Sequence, residues 1–564
     1  MISVSGKHWE EEKFNKRLIE KIKLEYKFND LISYQILSKK FNNEEIYSLK
    51  NDVDVSNPFF NKTDFKKAIK ILDNSIINNE NICIIGDYDV DGCISTSLLV
   101  KFLKKINARH FYYIPNRFTD GYGSTLKLIK KLCLKKPNLI IMVDNGSTSN
   151  DAIDYLNKNN IKSIIIDHHE INKPYPKSDT IINPKKDNNN KEASLLCATT
   201  LTYFFIDILI NKTKSSFKLS DFLIYVLLAT ICDVMPLRKI NKIIANNAMK
   251  NFKLKNNPAI NFIFDQHHLK KKISVEDLGF LIGPIINAGG RLNHSNYGVE
   301  LLSSNNLEII KDRCIKLIKL NDMRKRIEQN ILQEIDFEKI KNQNKNVIIY
   351  YKRNINEGLI GIIAARLKDY FNKPSIVITT SNSLLKASGR STATYNIGKL
   401  IKSLVDSKII EKGGGHNMAA GFTIKKNNIK LLDYFIQKDY SKKNSSKSNL
   451  VKYDIELSLS AINGKFINNL NKLGPFGNLN FLPTVLIKNV KIIKFSIINN
   501  KHISAIIKPE IGKSVKTICF NCLNTEIGDQ LLNYKKKINI VAQIHENIWN
   551  NKKSVQLNIK DIIL

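Results

Sequence analysis

The chain has 564 residues, of which 43% are hydrophobic, and its formal net charge is +36 at pH 7. This length accommodates about three domains with sizeable cores, and the composition excludes a disordered or fibrous protein. No run of about 18 apolar residues predicts a membrane span, and residues 1–16 lack the apolar core of a secretion signal. We therefore expect a cytoplasmic protein that binds no membrane.

The excess of positive charge favours a polyanionic partner such as a nucleic acid, because lysine and arginine bind phosphates. The lysines are spread along the whole chain, however, and they accompany many Asn and Ile residues, whose codons are also A/T-rich. Genome composition would produce a similar excess, so the charge permits a nucleic-acid partner without identifying one.

Residues 1–60 are polar and predict a helical N-terminal extension. In residues 61–303, apolar strand-like runs alternate with helix-like segments, which is typical of an α/β domain with a parallel sheet. The predicted strands are residues 82–85, 111–114, 139–143 and 163–166, and the predicted helices between them are residues 94–106, 125–134 and 152–159.

Residues 304–340 predict one long connecting helix, because apolar residues such as Ile327 and Ile331 recur at four-residue spacing. At a rise of 1.5 Å per residue it would span about 50 Å, enough to join two domains. A second α/β domain is predicted at residues 341–440, with strands at residues 347–351 and 375–379 on either side of a helix at residues 358–370.

The last part of the chain differs in composition. Residues 441–448 are polar and Ser-rich and predict a linker. Short β-like runs in residues 449–564 predict a small β-barrel.

Three of the predicted strands in the first domain are followed by an acidic residue, namely Asp87, Asp144 and Asp167. A single Asp at such a place often caps the next helix. Ligands of open parallel sheets bind beyond the carboxyl ends of the strands, however, and three carboxylates at one edge are harder to explain as caps. The pattern therefore indicates a ligand site at this edge.

The segment G-D-Y-D-V-D-G at residues 86–92 places three carboxylates at alternate positions directly after a strand. In an extended chain the side chains of Asp87, Asp89 and Asp91 would point to the same side, close enough to share a cation. The segment is also similar to a calcium loop, but the remaining ligands of that motif are missing.

Imidazole and further carboxylate groups follow along the chain. His168 and His169 come directly after Asp167, and this combination suits a divalent transition metal. Asp233 ends an apolar, helix-like run and either caps a helix or binds metal. The other histidine pair, residues 267–268, follows no strand-end acid and is predicted to be exposed and uninvolved.

The ordered set D-Y-D-V-D-G, V-D-N-G, D-H-H and A-T-I-C-D-V-M-P resembles the four motifs of the DHH phosphoesterase superfamily. The segment G-P-I-I-N-A-G-G-R-L at residues 283–292 and the segment G-G-G-H-N-M-A-A-G at residues 413–421 resemble its next signature and that of the DHH-associated domain. Residues 113–123, S-G-R-S at residues 388–391 and G-P-F-G at residues 474–477 are similar to the RecJ family in particular. The resemblance runs from about residue 60 to the C-terminus and implies an OB-fold for the barrel.

The resemblance implies two divalent cations, Mn²⁺ or Mg²⁺, and a set of residues that holds them. The implied metal ligands are Asp89, Asp91, Asp144, His168, His169 and Asp233. Asp144, His168 and Arg291 are the implied catalytic residues, with Arg291 neutralising charge on the phosphoryl oxygens. Asp87 is expected to be a helper to the ligands.

The implied activity is that of a single-stranded-DNA-specific 5′→3′ exonuclease that releases 5′-mononucleotides in DNA recombination and repair. In this interpretation the second domain binds the 5′ phosphate, and the implied substrate-binding residues are Arg117, Tyr122, Ser388, Arg390, Gly414, Gly415 and His416. The protein is expected to be a monomer, with helicases or single-strand-binding proteins as candidate partners.

Three positions depart from the family pattern, and these departures put the strength of substrate binding in doubt. Ile285 stands where the family usually has Arg, Asn356 where it has His, and Ala387 where it often has Gly. Two alternatives remain open: another DHH phosphoesterase that acts on short oligonucleotides, and a non-catalytic single-strand-binding protein. Residues 449–564 favour a longer polynucleotide over the first alternative.

Overall fold

The computed structural model describes residues 1–121, 123–186, 191–381, 384–444, 450–533, 537–549 and 552–564. Its N-terminal segment contains β1 (His8–Glu11), α1 (Lys16–Tyr26), α2 (Asp30–Ser38) and α3 (Asn43–Ser48). Among the described residues, no helix is both long enough and apolar enough to cross a membrane.

The first α/β domain is built on a five-stranded parallel sheet. Its strands are β2 (Ile82–Ile85), β3 (His110–Tyr113), β4 (Leu139–Val143), β5 (Lys162–Ile166) and β6 (Thr180–Ile182). Its α-helices are α4 (Thr63–Ile77), α5 (Val90–Lys105), α6 (Leu126–Cys133), α7 (Asn150–Lys158), α8 (Ala198–Thr213), α9 (Leu223–Cys232), α10 (Ile240–Asn251), α11 (Pro258–Gln266), α12 (Val275–Asp277), α13 (Gly283–Arg291) and α14 (Tyr297–Ser303). The predicted α/β class is confirmed, and β6 is an additional strand.

The strand order is β3-β2-β4-β5-β6, so the chain leaves β2 for β3 on one side and then crosses to β4 on the other. This reversal creates a crevice between the carboxyl ends of β2 and β4, the usual ligand site of such sheets. Alternate strand residues face opposite sides: Ile84 and Ile141 pack under α5 and α8, whereas Ile85 and Ile140 pack under α6 and α7. Burial on both faces holds the crevice in a rigid frame.

A long helix, α15 (Leu307–Gln333), joins the first domain to the second. Cys314 and Leu317 pack into the core of the first domain, and Ile331 packs into the core of the second. The helix is shorter than predicted, since its 27 residues span about 40 Å. The chain leaves it at Glu334 and then forms a separate short helix, α16 (Phe337–Asn342).

The second α/β domain contains a mixed five-stranded sheet in the order β10-β11-β9-β8-β7. Its elements are β7 (Ile348–Tyr351), α17 (Ile360–Phe371), β8 (Ser375–Ser381), β9 (Leu384–Arg390), α18 (Ile397–Asp406), β10 (Lys412–Gly415), β11 (Ala419–Ile424) and α19 (Ile429–Asn444). Because α19 continues to Asn444, the first half of the predicted linker is helical, and residues 445–448 lie outside the described part.

The C-terminal domain is a closed barrel. Its elements are β12 (Leu450–Tyr453), β13 (Ile455–Glu456), α20 (Gly464–Lys472), β14 (Thr484–Ile498), β15 (His502–Lys508), β16 (Val515–Cys519), α21 (Glu526–Leu532), β17 (Ile538–Trp549) and β18 (Lys552–Ile563). The sheet runs β14-β15-β16-β18-β17, and β17 pairs back with β14, which closes five strands into one ring. The predicted barrel is confirmed.

The N-terminal segment packs on this barrel, although the two are far apart in the sequence. Strand β1 pairs in parallel with β12, and Ile32 and Ile36 of α2 pack in the barrel core. The carboxylate of Asp561, which is fully buried, accepts hydrogen bonds from Trp9 Nε1 at 2.9 Å and from Ser3 Oγ at 2.8 Å. Residues 1–50 are therefore part of the C-terminal unit and contain a strand, where the sequence predicted only helices.

Candidate metal centre and nucleic-acid interface

The loop after β2 presents its carboxylates at the crevice. Asp89 caps α5, accepting a hydrogen bond from Gly92 N–H at 3.1 Å, and Asp91 lies in the first turn of that helix. A Cβ on Gly92 would lie 2.4 Å from the backbone nitrogen of Asp87, so only glycine lets the helix start this close to the loop. The two oxygens of Asp91 accept hydrogen bonds from the backbone N–H groups of Ala198 and Thr199 at 2.8 Å.

Asp144 follows β4 and is 1% exposed. Its φ of 61° lies in the left-handed region, which a non-glycine residue occupies only at an energetic cost. The next residue stabilises the turn, since Asn145 Nδ2 donates hydrogen bonds to Val143 O at 2.8 Å and to Ile85 O at 3.2 Å. Both carboxylate oxygens of Asp144 are buried without a hydrogen-bond partner among the described residues. A carboxylate buried in this way needs either a proton or a bound cation to balance its charge.

His168 follows β5 and lies at the centre of the carboxylates. Its Nε2 is 3.3 Å from Asp144 Oδ1, 3.5 Å from Asp233 Oδ2 and 3.6 Å from Asp91 Oδ2. Within the described part of the chain, neither ring nitrogen has a hydrogen-bond partner, and the residue is 5% exposed. A buried imidazole among carboxylates is a suitable ligand for a divalent cation that accepts both oxygen and nitrogen ligands, such as Mn²⁺.

His169 is oriented by Asp167, a role that the sequence did not reveal. Nδ1 of His169 lies 2.8 Å from Asp167 Oδ1, which also accepts hydrogen bonds from the backbone N–H groups of His168 and His169. This contact fixes the orientation of the His169 ring, as a carboxylate commonly does for metal-binding histidines. The motif itself contains the signal, because Asp167 directly precedes the pair.

The candidate ligands form three groups, and within each group the ligand atoms lie within 4.8 Å of one another. The groups are Asp144, His168 and His169; Asp91, His168 and Asp233; and Asp87, Asp89 and Asp144. The structure thus brings all six predicted ligands together, and it adds Asp87, which we expected to be a helper. Sharing of Asp144 and His168 between groups is consistent with two neighbouring cations. The pair at residues 267–268 follows α11 and belongs to none of these groups of described residues.

The electrostatics of the cluster also favour bound cations. Burial and the neighbouring carboxylates raise the pKa of Asp144 and of Asp233 well above the usual value, and they raise the pKa of Asp87 to about 7. Burial lowers the pKa of His168 to about 4, so this imidazole is neutral and able to bind a metal. Burial would lower the pKa of His169, but its hydrogen bond to Asp167 prevails and raises it to about 9, so a metal that binds this imidazole must displace a proton.

A group of three arginines, Arg117, Arg291 and Arg390, adjoins the carboxylates. The guanidinium of Arg117 lies 4.3 Å above the ring of Tyr88, and Nη1 of Arg291 donates a hydrogen bond to Gly358 O in the second domain at 2.9 Å. Burial and the other guanidinium groups lower the pKa of Arg291 to about 9 and also lower that of Arg390. Mutual repulsion of buried cations favours an anionic ligand such as a phosphate.

The second domain brings its predicted substrate residues to the same crevice. Arg390 Nη1 lies 3.2 Å from Ser388 Oγ, and both side chains pack against Gly361 in the first turn of α17, whose N-terminus favours anions. The ring of His416 lies 6.0 Å from that of His169.

The remaining predicted residues differ in their surroundings. Gly414 has open space where a Cβ would project, whereas a Cβ on Gly415 would meet Ala419 O at 2.4 Å. Tyr122 lies outside the described residues.

The three departures from the family pattern lie away from the predicted metal ligands. Ile285 is fully buried in the core of the first domain, and Ala387 is 4% exposed in the core of the second. The side chain of Asn356 accepts a hydrogen bond from Gly358 N–H at 2.8 Å. Ile285 and Ala387 therefore contribute packing, and Asn356 shapes the loop that contacts Arg291.

The chain matches three family models: the DHH family, N-terminal domain, at residues 81–230, the DHHA1 domain at residues 344–441, and the RecJ OB domain at residues 453–561. It is 26% identical over 568 residues to the single-stranded-DNA-specific exonuclease RecJ of Bacillus subtilis (strain 168), covering 99% of this chain and 71% of that protein. Its identity to the Escherichia coli (strain K12) protein of the same name is 26% over 521 residues, with 88% and 90% covered.

A solved structure, RecJ in complex with Mn²⁺ from Thermus thermophilus, has the same fold. The TM-score is 0.82 at 18% sequence identity, and the match covers 99% of this chain and 79% of that chain. Along this chain, the three matched family models correspond in order to the first α/β domain, the second α/β domain and the barrel. The chain therefore belongs to the RecJ family of the DHH phosphoesterase superfamily.

Proposed function

We propose that this chain is a metal-dependent exonuclease that removes 5′-mononucleotides from the 5′ end of single-stranded DNA, as in recombination and repair. The observation that carries the proposal is the cluster around His168, in which buried carboxylate and imidazole atoms have no hydrogen-bond partner among the described residues. Similar proteins from Bacillus subtilis and Escherichia coli are named single-stranded-DNA-specific exonucleases, which supports the choice of substrate.

We propose that the six predicted ligands hold two divalent cations, Mn²⁺ or Mg²⁺, with Asp87 beside them. Bound cations would supply an activated water and neutralise charge on the phosphoryl group. Other groups of the protein hold the ligands in place: the Asp167 carboxylate orients His169, and the backbone of α8 orients Asp91. The arginine group contributes positive charge, and Arg291 would donate to a phosphoryl oxygen as the negative charge on that oxygen grows.

Direction of degradation is proposed to come from the second domain. Ser388, Arg390 and the first turn of α17 form a pocket of donors for a terminal phosphate. The pocket adjoins the metal centre through Arg117, whose charge acts on both Arg390 and Asp87. A 5′ phosphate held there would place the first phosphodiester bond at the metal centre, so that each cleavage releases one nucleotide.

The proposal is tested with 5′-labelled and 3′-labelled single strands and the matching duplex, incubated with Mn²⁺ or Mg²⁺. We expect labelled mononucleotide from the 5′-labelled single strand first, little degradation of the duplex and no activity in chelator. Release from the 3′ end first would contradict the proposed direction. Rapid turnover of dinucleotides with no attack on long strands would favour the short-oligonucleotide alternative.

Metal binding should also be visible in the stability of the protein. Mn²⁺ at 100 times its dissociation constant is expected to raise the free energy of unfolding by about 2.7 kcal/mol, because only the folded chain forms the site. Calorimetry or dye-based thermal unfolding measures this shift. Asp144→Asn should reduce the shift, and an equal shift in both proteins would count against Asp144 as a ligand.

The metal-free protein should lose stability as the pH rises between about pH 4 and pH 7. Asp87 has a folded pKa of about 7, and the pKa values of Asp144 and Asp233 are also raised, so these carboxyl groups bind more protons in the folded state in this window. They outweigh His168, whose pKa of about 4 has the opposite effect. Deprotonation then restores the repulsion among Asp87, Asp89 and Asp144. Thermal unfolding in chelator at a series of pH values measures the trend, and a rise in stability over the same window would contradict it.

We further propose that the protein acts as a monomer in the cytoplasm, with helicases or single-strand-binding proteins as partners. In support of a monomer, one chain supplies the carboxylates, the arginines and the second-domain pocket. Light scattering of the purified protein, with and without a single strand, tests the oligomeric state.

A further inference from the structure

Asp233 is the one predicted ligand that does not follow a strand of the sheet. It comes directly after α9, and its Oδ2 lies 3.5 Å from His168 Nε2. The side chain is partly exposed, at 29%, whereas those of Asp91 and Asp144 are almost fully buried. The position of this carboxylate is therefore set mainly by the backbone that follows α9.

That backbone is in an unfavourable conformation. Val234 has a φ of 56°, in the left-handed region, which is costly for a β-branched residue, and its side chain is exposed. Hydrogen bonds from the backbone N–H groups of Val234 and Met235 to the last turn of α9 fix only one side of the turn. A contact from elsewhere is needed to hold the other side.

The barrel domain supplies that contact through the loop at residues 474–480, which includes the G-P-F-G motif. Asn478 Nδ2 donates a hydrogen bond to Val234 O at 2.6 Å, and Asn478 O accepts one from Leu237 N–H at 2.8 Å. Asn478 thus holds the turn at both of its ends. A Cβ on Gly477 would lie 2.7 Å from Leu237 Cδ1 and would displace this side chain, so glycine lets the loop pack closely against Leu237.

The loop is itself anchored on both flanks. Asn480, which is fully buried, donates through Nδ2 to Leu473 O at 3.1 Å and to Pro475 O at 2.8 Å. Lys242 of α10, also fully buried, donates through Nζ to Leu473 O at 2.7 Å and to Gly474 O at 3.0 Å. These bonds connect the loop firmly to both the barrel and the first domain.

We propose that Asn478 is a positioning residue for the metal centre: the barrel domain completes that centre by holding the turn that carries Asp233. This inference rests on the proposed function, because it takes Asp233 as a ligand. It assigns to the barrel a role in metal binding that is separate from any contact with a nucleic-acid strand. Loss of the Asn478 contact would free the turn to relax and would move Asp233 away from His168.

The test compares Mn²⁺ binding, measured by electron paramagnetic resonance without any nucleic acid, in the full-length protein and its variants. Asn478→Asp replaces the Nδ2 donor by an oxygen that faces Val234 O, and Asn478→Ala removes the side chain without adding charge. Each is expected to weaken Mn²⁺ binding by about 10-fold, the effect typical of residues that orient a ligand. Asn468→Asp makes the same change on the exposed face of α20 and should bind Mn²⁺ like the parent protein.

A second readout separates positioning from strand binding. Turnover of a 5′-phosphorylated dinucleotide should fall in both Asn478 variants and recover when the Mn²⁺ concentration is raised, whereas binding of a long single strand in chelator should not change. Circular dichroism of the metal-free proteins checks that the variants are folded.

The proposal is overturned if both Asn478 variants are folded and bind Mn²⁺ as tightly as the parent protein. It is also overturned if Asn468→Asp weakens Mn²⁺ binding as much as they do. Asp233→Asn serves as the reference: if this change does not affect Mn²⁺ binding, the ligand set of the proposed function is wrong. Weaker binding in Asp233→Asn but not in the Asn478 variants would reject only the positioning role.

Discussion

Replacing Asp144 by asparagine is expected to reduce the rate of DNA hydrolysis by about 1,000-fold or more, as for the loss of a main catalytic group. Asp144 belongs to two of the three groups of ligand atoms, and both of its oxygens are buried without a hydrogen-bond partner in the described part of the chain. Asparagine keeps the size of the side chain but removes its charge and one ligand oxygen. Initial rates on a 5′-labelled single strand in saturating Mn²⁺ measure the effect.

Asp151→Asn is the matched control for this change, since Asp151 is exposed in the first turn of α7, close to Asp144 in the sequence. It should retain the parental rate. The metal-free Asp144→Asn protein should be at least as stable as the parent, because one buried negative charge is gone from a group of carboxylates that repel one another. A variant that retains more than about a tenth of the parental rate would remove Asp144 from the catalytic residues.

Replacing Arg291 by methionine is expected to lower kcat by about 100-fold with little change in KM, because its donor acts mainly on charge that develops in the transition state. Arg291 ends α13, its Nη1 donates a hydrogen bond to Gly358 O, and the charges of Arg117 and Arg390 act on its guanidinium. Methionine preserves most of the apolar length of the side chain. Steady-state kinetics on a 5′-phosphorylated single strand separate the two constants.

The contact of Arg291 with Gly358 also ties the two α/β domains together, so its loss could act through the fold. Arg326→Met, at an exposed position of α15, controls for the removal of a positive charge and should behave as the parent protein. If the loss in kcat is accompanied by a large loss in the free energy of unfolding, Arg291 acts through the contact between the domains. If only KM changes, Arg291 acts in substrate binding.

The architecture of the first domain could be predicted because its signals are local. Strands β2, β4 and β5 are short apolar runs, each followed by an acid, and parallel strands bring such residues to one edge. The resemblance to ordered family motifs then added Asp233 to the predicted metal ligands. Without that resemblance, its place at the end of a helix-like run fits a helix cap as well as a ligand. In the structure Asp233 follows the last residue of α9 and lies beside His168.

Other features depend on contacts between distant parts of the chain and leave no local signal. The hydrogen bonds from α8 to Asp91 and from Asn478 to Val234 join residues 107 and 244 positions apart. The N-terminal strand β1 finds its partner, β12, across most of the sequence. Its short polar sequence shows no alternation that would distinguish a strand from a helix. Asp tolerates the positive φ of Asp144 better than most non-glycine residues do, but nothing in the local sequence predicts that the turn requires it.

The central claim is that the six predicted ligands, which come from distant parts of the sequence, surround two divalent cations with Asp87 beside them. Crystals of the protein grown with Mn²⁺, with diffraction data collected at the manganese absorption edge, test it most directly. We predict two anomalous peaks, one on each side of Asp144 and His168, both of which disappear in Asp144→Asn crystals or become much weaker. Well-ordered crystals in saturating Mn²⁺ with no anomalous peak beside these residues would contradict the account.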